Sequence, residues 1–203
     1  MNTETSVVVW GERMYIGRPE MRCDGWTYPV PTPSAGRGIL DRIFWHPQMK
    51  WEVLRIAALR LGPFARVAVN ERSAPGCGSG IKTVRRVRVI RRDCMFRITA
   101  RFHLTELAGP EDSEEKFLDQ INKRIRNGAC ACQPSLGIHE FVAFFAAPSP
   151  KDPSPLPITK DLGVMFADYD WSTKPPKPLW FRAKLEQGVM HCGRDLWLPS
   201  SMN

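Results

Sequence analysis

The chain has 203 residues, with 29 lysines and arginines against 21 aspartates and glutamates, which gives a formal net charge of +8. Its 43% hydrophobic and 10% aromatic residues can fill a core, so an intrinsically disordered chain is excluded. No apolar run approaches the ~20 residues of a membrane span, and the length predicts one domain, or one domain with a small appendage.

The N-terminal part predicts a strand followed by a helix. No basic region precedes the first apolar run, so we expect no signal peptide and a cytoplasmic protein. The β-branched run from Val7 to Trp10 favours a strand. Thr32 is a candidate N-cap and Pro33 suits a first helical turn, which predicts a helix that ends near Trp45 because Pro47 follows.

Two glycines lie inside this predicted helix. Gly36 and Gly38 would each cost roughly 1 kcal/mol against alanine in a helix interior. We therefore expect another part of the backbone, or a ligand, to come close to the helix at these positions.

The middle of the chain predicts strands and a basic hairpin. Apolar residues from Met49 to Arg60 indicate one long strand or two, and Gly62 with Pro63 indicates a turn. Residues 64–92 contain a glycine-rich tip between arms rich in valine and arginine, and their alternation is typical of a strand with one basic face. The arginines of this predicted protruding hairpin are Arg85, Arg86, Arg88, Arg91 and Arg92.

The remaining elements complete a fold pattern. Apolar and polar residues alternate from Cys94 to Leu107, which predicts a strand, and a helix follows with Asp112 and Glu115 in a capping-box arrangement and Gly128 at its end. Residues Ile138 to Ala147 predict another strand. The order strand, helix, two strands, helix, strand indicates an α+β fold with a ferredoxin-like βαββαβ core.

The C-terminal quarter differs in composition. A proline-rich segment at residues 148–157 predicts a stiff connector, and Leu162 to Trp171 and Trp180 to Val189 predict strands. We therefore predict a ferredoxin-like domain at residues 1–147, with the basic hairpin at about 64–92, and a connector with a small C-terminal β element at residues 148–203.

The cysteines carry no clear metal pattern. Cys130 and Cys132, with His191 and Cys192 far downstream, come nearest to one. Their C-x-C spacing is not the C-x₂₋₄-C spacing of structural zinc sites. Buried or idle thiols are the favoured interpretation and an unrecognised metal site is the alternative; we predict no metal and no cofactor.

The arginine-rich hairpin favours binding of nucleic acid. Cations gathered on one projecting arm suit the neutralisation of phosphates, whereas the alternative is a solvated strand edge that cations protect from aggregation. The tip carries Lys82 and Thr83, but Ile81 separates Lys82 from Gly80, so the tip lacks the contiguous Gly-Lys-Ser/Thr of a phosphate loop.

Four blocks spread over most of the chain resemble a known family. They are RPEMRCDGWTYPVPTPSAGRGILDRIFWHPQMKW (Arg18 to Trp51), NGACACQPSLGIHEF (Asn127 to Phe141), DLGVMFADYDW (Asp161 to Trp171) and FRAKLEQGVM (Phe181 to Met190). In these blocks the chain resembles the type I-C, or Dvulg-subtype, Cas-five protein of CRISPR systems. The resemblance implies an RRM-like ferredoxin-like core of the RAMP superfamily with a small C-terminal β element.

The resemblance also implies a function in antiviral defence. Such a protein is a subunit of the surveillance complex Cascade, where it grips the 5′ handle of CRISPR RNA (crRNA) beside Cas-seven backbone subunits and a Cas-eight-type large subunit. Target DNA is a further candidate partner, and a membrane is not. In type I-C systems the family member also cuts the precursor RNA without a metal, by attack of a ribose 2′-OH on the adjacent phosphate.

Catalysis of that kind needs a base for the 2′-OH proton, an acid for the leaving 5′-oxygen and a cation for the phosphorane. The resemblance places the family's tyrosine at Phe44, its lysine at Lys116 and its histidine at Phe117. Phenylalanine exchanges no proton, and a positioned acid or base contributes about 10²–10⁴ in rate. Lys116 is therefore the remaining candidate catalytic residue, and His46 is the candidate replacement.

We expect a crRNA-binding subunit whose nuclease activity is weakened or lost. The alternative is an active, metal-independent pre-crRNA endoribonuclease, and a third possibility is a general nucleic-acid-binding module. The candidate RNA-binding residues are arginines of the matched block and of the hairpin: Arg18, Arg22, Arg37, Arg85, Arg86, Arg88 and Arg91.

Overall fold

A computed structural model describes residues 3–21, 25–72 and 83–199. Within these ranges the chain forms nine strands and two α-helices. In chain order they are β1 (Thr5–Met14), β2 (Gly25–Trp26), α1 (Pro33–Ile43), β3 (Met49–Leu61), β4 (Phe64–Arg72), β5 (Thr83–Leu104), α2 (Glu114–Asn127), β6 (Phe144–Ala146), β7 (Lys160–Asp170), β8 (Lys177–Glu186) and β9 (Val189–His191). Neither helix is long and apolar enough to cross a membrane.

The strands form one sheet in the order β6-β1-β5-β3-β9-β8-β7, with β2 and β4 also paired to β5. The first four strands of that order are antiparallel neighbours, which is the ferredoxin-like arrangement in which the third strand lies between the first and the second. The predicted α+β class and ferredoxin-like core are therefore confirmed. β9 pairs with β3, so the C-terminal strands extend the same sheet, and the division of the chain at residue 147 stays a prediction.

Both helices pack against one face of the sheet. Each buries three large apolar side chains that recur at helical spacing, which places them on one helix face. They are Ile39, Leu40 and Ile43 of α1 and Phe117, Ile121 and Ile125 of α2. They meet inward side chains of β3 and β5, among them Trp51, Val53, Ile98 and Phe102. Burial of each large side chain contributes roughly 1.5–3 kcal/mol.

Helix α1 begins as the sequence predicts, because the Thr32 hydroxyl accepts a hydrogen bond from the Ala35 N–H at 3.1 Å. The helix ends at Ile43, slightly earlier than predicted. A Cβ at Gly36 would lie 3.3 Å from a methyl group of Val53, so close packing on β3 accounts for this glycine. Gly38 has nothing within 4 Å, so the same explanation does not apply there.

We expect Gly38→Ala to stabilise the protein by about 0.5–1 kcal/mol, because alanine restricts the unfolded chain and fits a helix interior. Thermal unfolding of the purified variant measures the change as a rise in Tm. Gly36→Ala is the matched control, since its methyl group meets Val53, and we expect it to gain less. A fall in Tm for Gly38→Ala would contradict the prediction.

Two local predictions were wrong. The cap of α2 is Ser113, whose hydroxyl accepts from the Lys116 N–H at 3.2 Å, while the predicted cap Asp112 instead accepts from the Gly109 N–H. The predicted strand from Ile138 to Ala147 shortens to the three residues of β6, because the preceding segment closes a loop in which the Leu136 N–H bonds to the Phe141 carbonyl.

Strand β5 is longer than predicted and joins the core to the hairpin. Its second half pairs with β1 and β3, and its first half pairs with β4 from Phe64↔Arg91 to Arg72↔Thr83. Asp93, with a φ of 45°, lies where the two halves meet. We call residues 64–72 and 83–92 the basic arm; the predicted glycine-rich tip, with Lys82, lies outside the described residues.

The basic arm carries arginines on both faces, which corrects the predicted single basic face. Arg85 and Arg86 are consecutive in β5 and pair with Asn70 and Val69, so their side chains leave opposite faces of the ladder. Arg86 and Arg88 alternate with valines and share one face, whereas Arg85 lies on the same face as Val87 and Val89.

Candidate nucleic-acid interface

An aromatic cluster lies where α1 ends and α2 begins; we define it as Phe44, His46 and Phe117. Phe44 is the C-cap of α1, and Phe117 lies in the first turn of α2. Their ring centroids are 6.2 Å apart, and the residues are 4% and 2% exposed. The two positions at which the resemblance implies tyrosine and histidine therefore lie side by side as buried apolar rings.

His46 packs beside both rings. Its ring centroid is 5.4 Å from that of Phe117 and 6.0 Å from that of Phe44. Its Nδ1 bonds to the amide oxygen of Gln48 at 2.5 Å. Because an amide oxygen only accepts, Nδ1 donates in this bond, and Nε2 is left as the nitrogen that can take up a proton. The half-buried imidazole is thus the proton-exchanging group of the cluster.

Arg124 packs on the cluster, and Lys116 is its neighbour along the chain. Lys116 precedes Phe117, and its Nζ donates to the Glu111 carbonyl at 3.2 Å and lies 3.8 Å from Asp112. Arg124 holds its guanidinium carbon 5.4 Å from the Phe44 ring centroid and donates to the Ile43 carbonyl at 3.4 Å. Sequence reasoning missed Arg124, although its spacing of seven residues from Phe117 places it on the same face of α2.

The cluster can therefore supply the imidazole of His46 and the positive charge of Arg124, with Lys116 one residue from Phe117, but neither phenylalanine can exchange a proton. An imidazole near neutral pH can act as a general acid or base, and cations can stabilise a pentacoordinate phosphorane. The turn after α1 makes this arrangement possible, because the Trp51 indole N–H donates to the Phe44 carbonyl at 3.1 Å and fixes the chain reversal around His46.

The arginines of the matched block have internal partners. Arg18 lies over the Tyr28 ring, 4.9 Å from its centroid. The Tyr28 hydroxyl donates to Glu20 at 2.8 Å, and burial raises the pKa of Tyr28, so the hydroxyl keeps its proton. Arg37 donates to Asp168 at 2.9 Å and thereby ties α1 to β7. Arg22 lies outside the described residues.

The arginines of the basic arm differ in surroundings. Arg85 and Arg86 are exposed. Arg88 packs over the Tyr15 ring at 4.8 Å and Arg91 over the Phe64 ring at 4.5 Å, in both cases from guanidinium carbon to ring centroid. Burial lowers the pKa of Arg91, but guanidinium stays protonated near neutral pH. The end of the arm nearer the tip thus carries exposed charge, while stacked arginines brace its base.

A third group of charged side chains surrounds Glu52, on the face of β3 that points away from the two helices. Its carboxylate accepts from Arg101 Nε at 2.8 Å and His103 Nε2 at 2.9 Å, and only 10% of its side chain is exposed. Burial by itself raises the pKa of Glu52, but the hydrogen bonds from Arg101 and His103 outweigh it and bring the pKa to about 2. Glu52 is therefore ionised at every pH at which the protein is expected to work.

Because the folded pKa of Glu52 lies below its ordinary value of 4.5, this group stabilises the fold above about pH 4.5 and ceases to do so as pH falls toward 2. We expect Glu52→Gln to lose about 1–3 kcal/mol at pH 7, since charge-assisted hydrogen bonds are lost, and to lose progressively less below pH 4. Urea unfolding from pH 3 to 7 measures the effect, and a penalty independent of pH would contradict it.

The described cysteines form no metal site. Cys94 and Cys192 are buried, and burial raises their pKa to about 11 and about 12, so both thiols are protonated. Cys130 is half-buried and Cys132 is exposed. Over residues 3–21, 25–72 and 83–199, no three histidine, cysteine, aspartate or glutamate side chains are grouped to hold a metal ion. Cys23 and Cys77 lie outside those ranges.

Comparison with known proteins covers nearly the whole chain. A family profile described as "CRISPR-associated protein (Cas_Cas5)" matches residues 7–192. A protein of Thermus thermophilus named "CRISPR pre-crRNA endoribonuclease Cas5d" is 36% identical over 180 residues, which cover 85% of this chain and 76% of that protein. A protein of Mannheimia succiniciproducens with the same name is 32% identical over 206 residues, covering 90% of this chain and 91% of that protein.

A solved structure is similar in fold. A protein titled "Crystal Structure of CRISPR-associated Protein" superposes with a TM-score of 0.70 at 20% identity, and the match covers 93% of this chain and 90% of that one. At this identity the similarity concerns the fold, and it includes both the core sheet and the C-terminal strands.

Proposed function

The chain belongs to the Cas5 family of CRISPR-associated proteins, and from this membership we propose that it binds the 5′ handle of crRNA as a subunit of a type I-C-like Cascade. We further propose that its ability to cut precursor RNA is weakened or lost. The partners of such a subunit are crRNA, Cas-seven backbone subunits and a Cas-eight-type large subunit.

The basic arm is the observation that supports RNA binding most strongly. Arg85 and Arg86 present charge on both faces of a ladder that extends beyond the core sheet. Charge in that position can follow the phosphates of an RNA strand, which dominate affinity. The aromatic neighbours of Arg88 and Arg91 hold these guanidinium planes where bases can stack on them.

Phe44 and Phe117 support weak cleavage. The rings fill the space between α1 and α2 that a tyrosine hydroxyl and an imidazole would share. Without those groups the 2′-OH must lose its proton, and the 5′-oxygen must gain one, through water or through another side chain. Since each positioned acid or base contributes about 10²–10⁴ in rate, the loss of both leaves slow chemistry.

A second candidate function is active, metal-independent cleavage of pre-crRNA, and the position of His46 favours it. Its imidazole touches both phenylalanine rings, so it can reach the same scissile ribose that a histidine at position 117 would serve. In this mechanism His46 Nε2 takes the 2′-OH proton, the 2′-oxygen attacks phosphorus, and the P–O5′ bond breaks to give a 2′,3′-cyclic phosphate. The leaving 5′-oxygen takes a proton from water, and the imidazolium returns its proton to solvent. Lys116 would stabilise the phosphorane charge.

Handle recognition is tested by comparing the cognate repeat RNA with a scrambled RNA of equal length at matched salt. We expect the cognate repeat to bind at least tenfold more tightly. Affinity for both should fall with salt, at a slope of about −0.7 per phosphate neutralised on a single strand. Equal affinities at every salt concentration would exclude handle recognition and leave a general nucleic-acid-binding module.

A further inference from the structure

A groove of about 740 Å³ lies on the face of β3 and β5 that points away from the helices. Trp51 and Phe102 are buried in the core, and the residues that alternate with them, Glu52, Arg101 and His103, line the groove. We call it the Glu52 groove. Its volume lies within the roughly 300–1,000 Å³ of small-molecule and cofactor sites.

The Glu52 groove is built around one ionised, nearly buried carboxylate. Glu52 takes the Nε–H of Arg101 and a ring nitrogen of His103. Arginine has five N–H donors, so the four on the terminal nitrogens of Arg101 lie outside this hydrogen bond. Glu52 thereby fixes the guanidinium plane of Arg101, and the terminal N–H groups of Arg101 remain as donors for a ligand.

The rim of the groove carries both signs of charge. The cations Lys50 and Arg194 oppose the carboxylates Glu106 and Asp195, and Arg101 opposes Glu52. Three cations thus face three carboxylates, so a plain polyanion is not the ligand that fits. The groove suits a ligand that offers an anionic group to Arg101 and hydrogen-bond donors to the carboxylates. A ribonucleotide meets both demands, through its phosphate and through its 2′-OH or base amino group.

The Glu52 groove adjoins the aromatic cluster. Thr105, which lines the groove, donates its N–H to the Gln48 carbonyl at 2.8 Å and its hydroxyl to the Pro47 carbonyl at 2.9 Å. Gln48 in turn holds the His46 imidazole. A single RNA strand that passes the cluster therefore needs only to round this turn to enter the groove.

We infer that the Glu52 groove binds a nucleotide of the repeat RNA adjacent to the nucleotide at the aromatic cluster. The phosphate of this nucleotide contacts Arg101, and its hydrogen-bond donors contact the rim carboxylates. This inference rests on the proposed RNA-binding function and names where part of the RNA lies. The phosphate contact of Arg101 adds affinity, and contacts between the rim carboxylates and a base amino group add sequence preference.

The experiment measures fluorescence anisotropy of the full-length repeat and of repeats shortened one nucleotide at a time from each end, with wild type and Arg101→Gln. We expect Arg101→Gln to bind the full-length repeat about tenfold more weakly. Once the nucleotide of the groove has been removed, wild type and variant should bind equally. Arg182→Gln, an exposed arginine on β8 paired with Asp161, is the matched control and should bind every RNA as wild type does.

Two results would overturn the inference. Arg101→Gln could bind the full-length repeat with the same affinity as wild type, or it could lose the same affinity for every shortened repeat. Arg101→Lys keeps the charge without the guanidinium fork, and we expect it to bind between the two. Thermal unfolding of each variant separates a loss of fold from a loss of contact. If wild type itself fails to distinguish the cognate repeat from scrambled RNA, the proposed handle recognition fails independently of the groove.

Discussion

Phe44→Tyr combined with Phe117→His is expected to raise the rate of metal-independent cleavage of the cognate repeat by at least 10²-fold. The two rings already lie 6.2 Å apart, so the substitutions place a phenol and an imidazole side by side, with Lys116 the neighbour of position 117 in the chain. Each new group supplies one of the missing proton transfers, and a positioned acid or base contributes about 10²–10⁴ in rate. The measurement is single-turnover cleavage of labelled repeat RNA in EDTA.

The single variants are the controls, because groups that act as a unit are not additive, and each alone should gain much less than the pair. Both positions are buried, so each protein is first compared with wild type by thermal unfolding and by RNA binding. A double variant that folds and binds as wild type does, yet cuts no faster, would show that the family's tyrosine and histidine positions were assigned to the wrong residues.

Removal of positive charge from the basic arm should have the second large effect, a loss of affinity for RNA. We expect Arg85→Gln combined with Arg86→Gln to reduce the salt slope of RNA binding by about 1.4, which is two contacts at about 0.7 each. If affinities converge near 1 M salt, that change corresponds to roughly 25-fold weaker binding at about 0.1 M salt. Filter binding over a salt series measures both quantities.

The matched control removes two positive charges elsewhere. Arg182 and Lys184 are exposed on β8 and pair with Asp161 and Glu186. Arg182→Gln combined with Lys184→Gln lowers the net charge equally but should leave the salt slope unchanged. If both double variants lose affinity to the same extent, overall charge attracts the RNA and the basic arm has no special part.

The core strands and helix faces could be predicted because burial repeats along the sequence. The alternation through Phe96, Ile98 and Phe102 requires one face of β5 to be buried, and the stripe Phe117, Ile121 and Ile125 identifies the buried face of α2. Both patterns are properties of the local chain. They predicted the sheet and its helices without any knowledge of long-range contacts.

The continuity of β5 and the cap of α2 could not be predicted in the same way. The half of β5 in the arm and the half in the core differ in composition, and the sequence around Asp93, where φ is positive, does not indicate that they form one strand. Asp112, Ser113 and Glu115 all offer plausible capping groups within four residues. Which of them caps the helix depends on the path of the preceding loop.

The sequence predicted which residues belong to the candidate site but not how they are arranged in space. Residues two apart do not share a helix face, so His46 could replace the missing groups only if the chain turned after the helix. The helix ends at Ile43, and the following turn brings the imidazole over both phenylalanine rings. The pairing of Arg101 and His103 through Glu52 depends on the register between β3 and β5, which no local pattern specifies.

The central claim is that this chain holds the 5′ handle and scarcely cuts it. It is tested most directly by incubating the purified wild-type protein in excess over the cognate repeat RNA in EDTA and following both bound and cleaved RNA. We predict RNA that is bound and remains intact over many hours. Rapid, discrete cleavage at the handle boundary that disappears in His46→Ala would contradict the claim and assign the chemistry to the displaced imidazole.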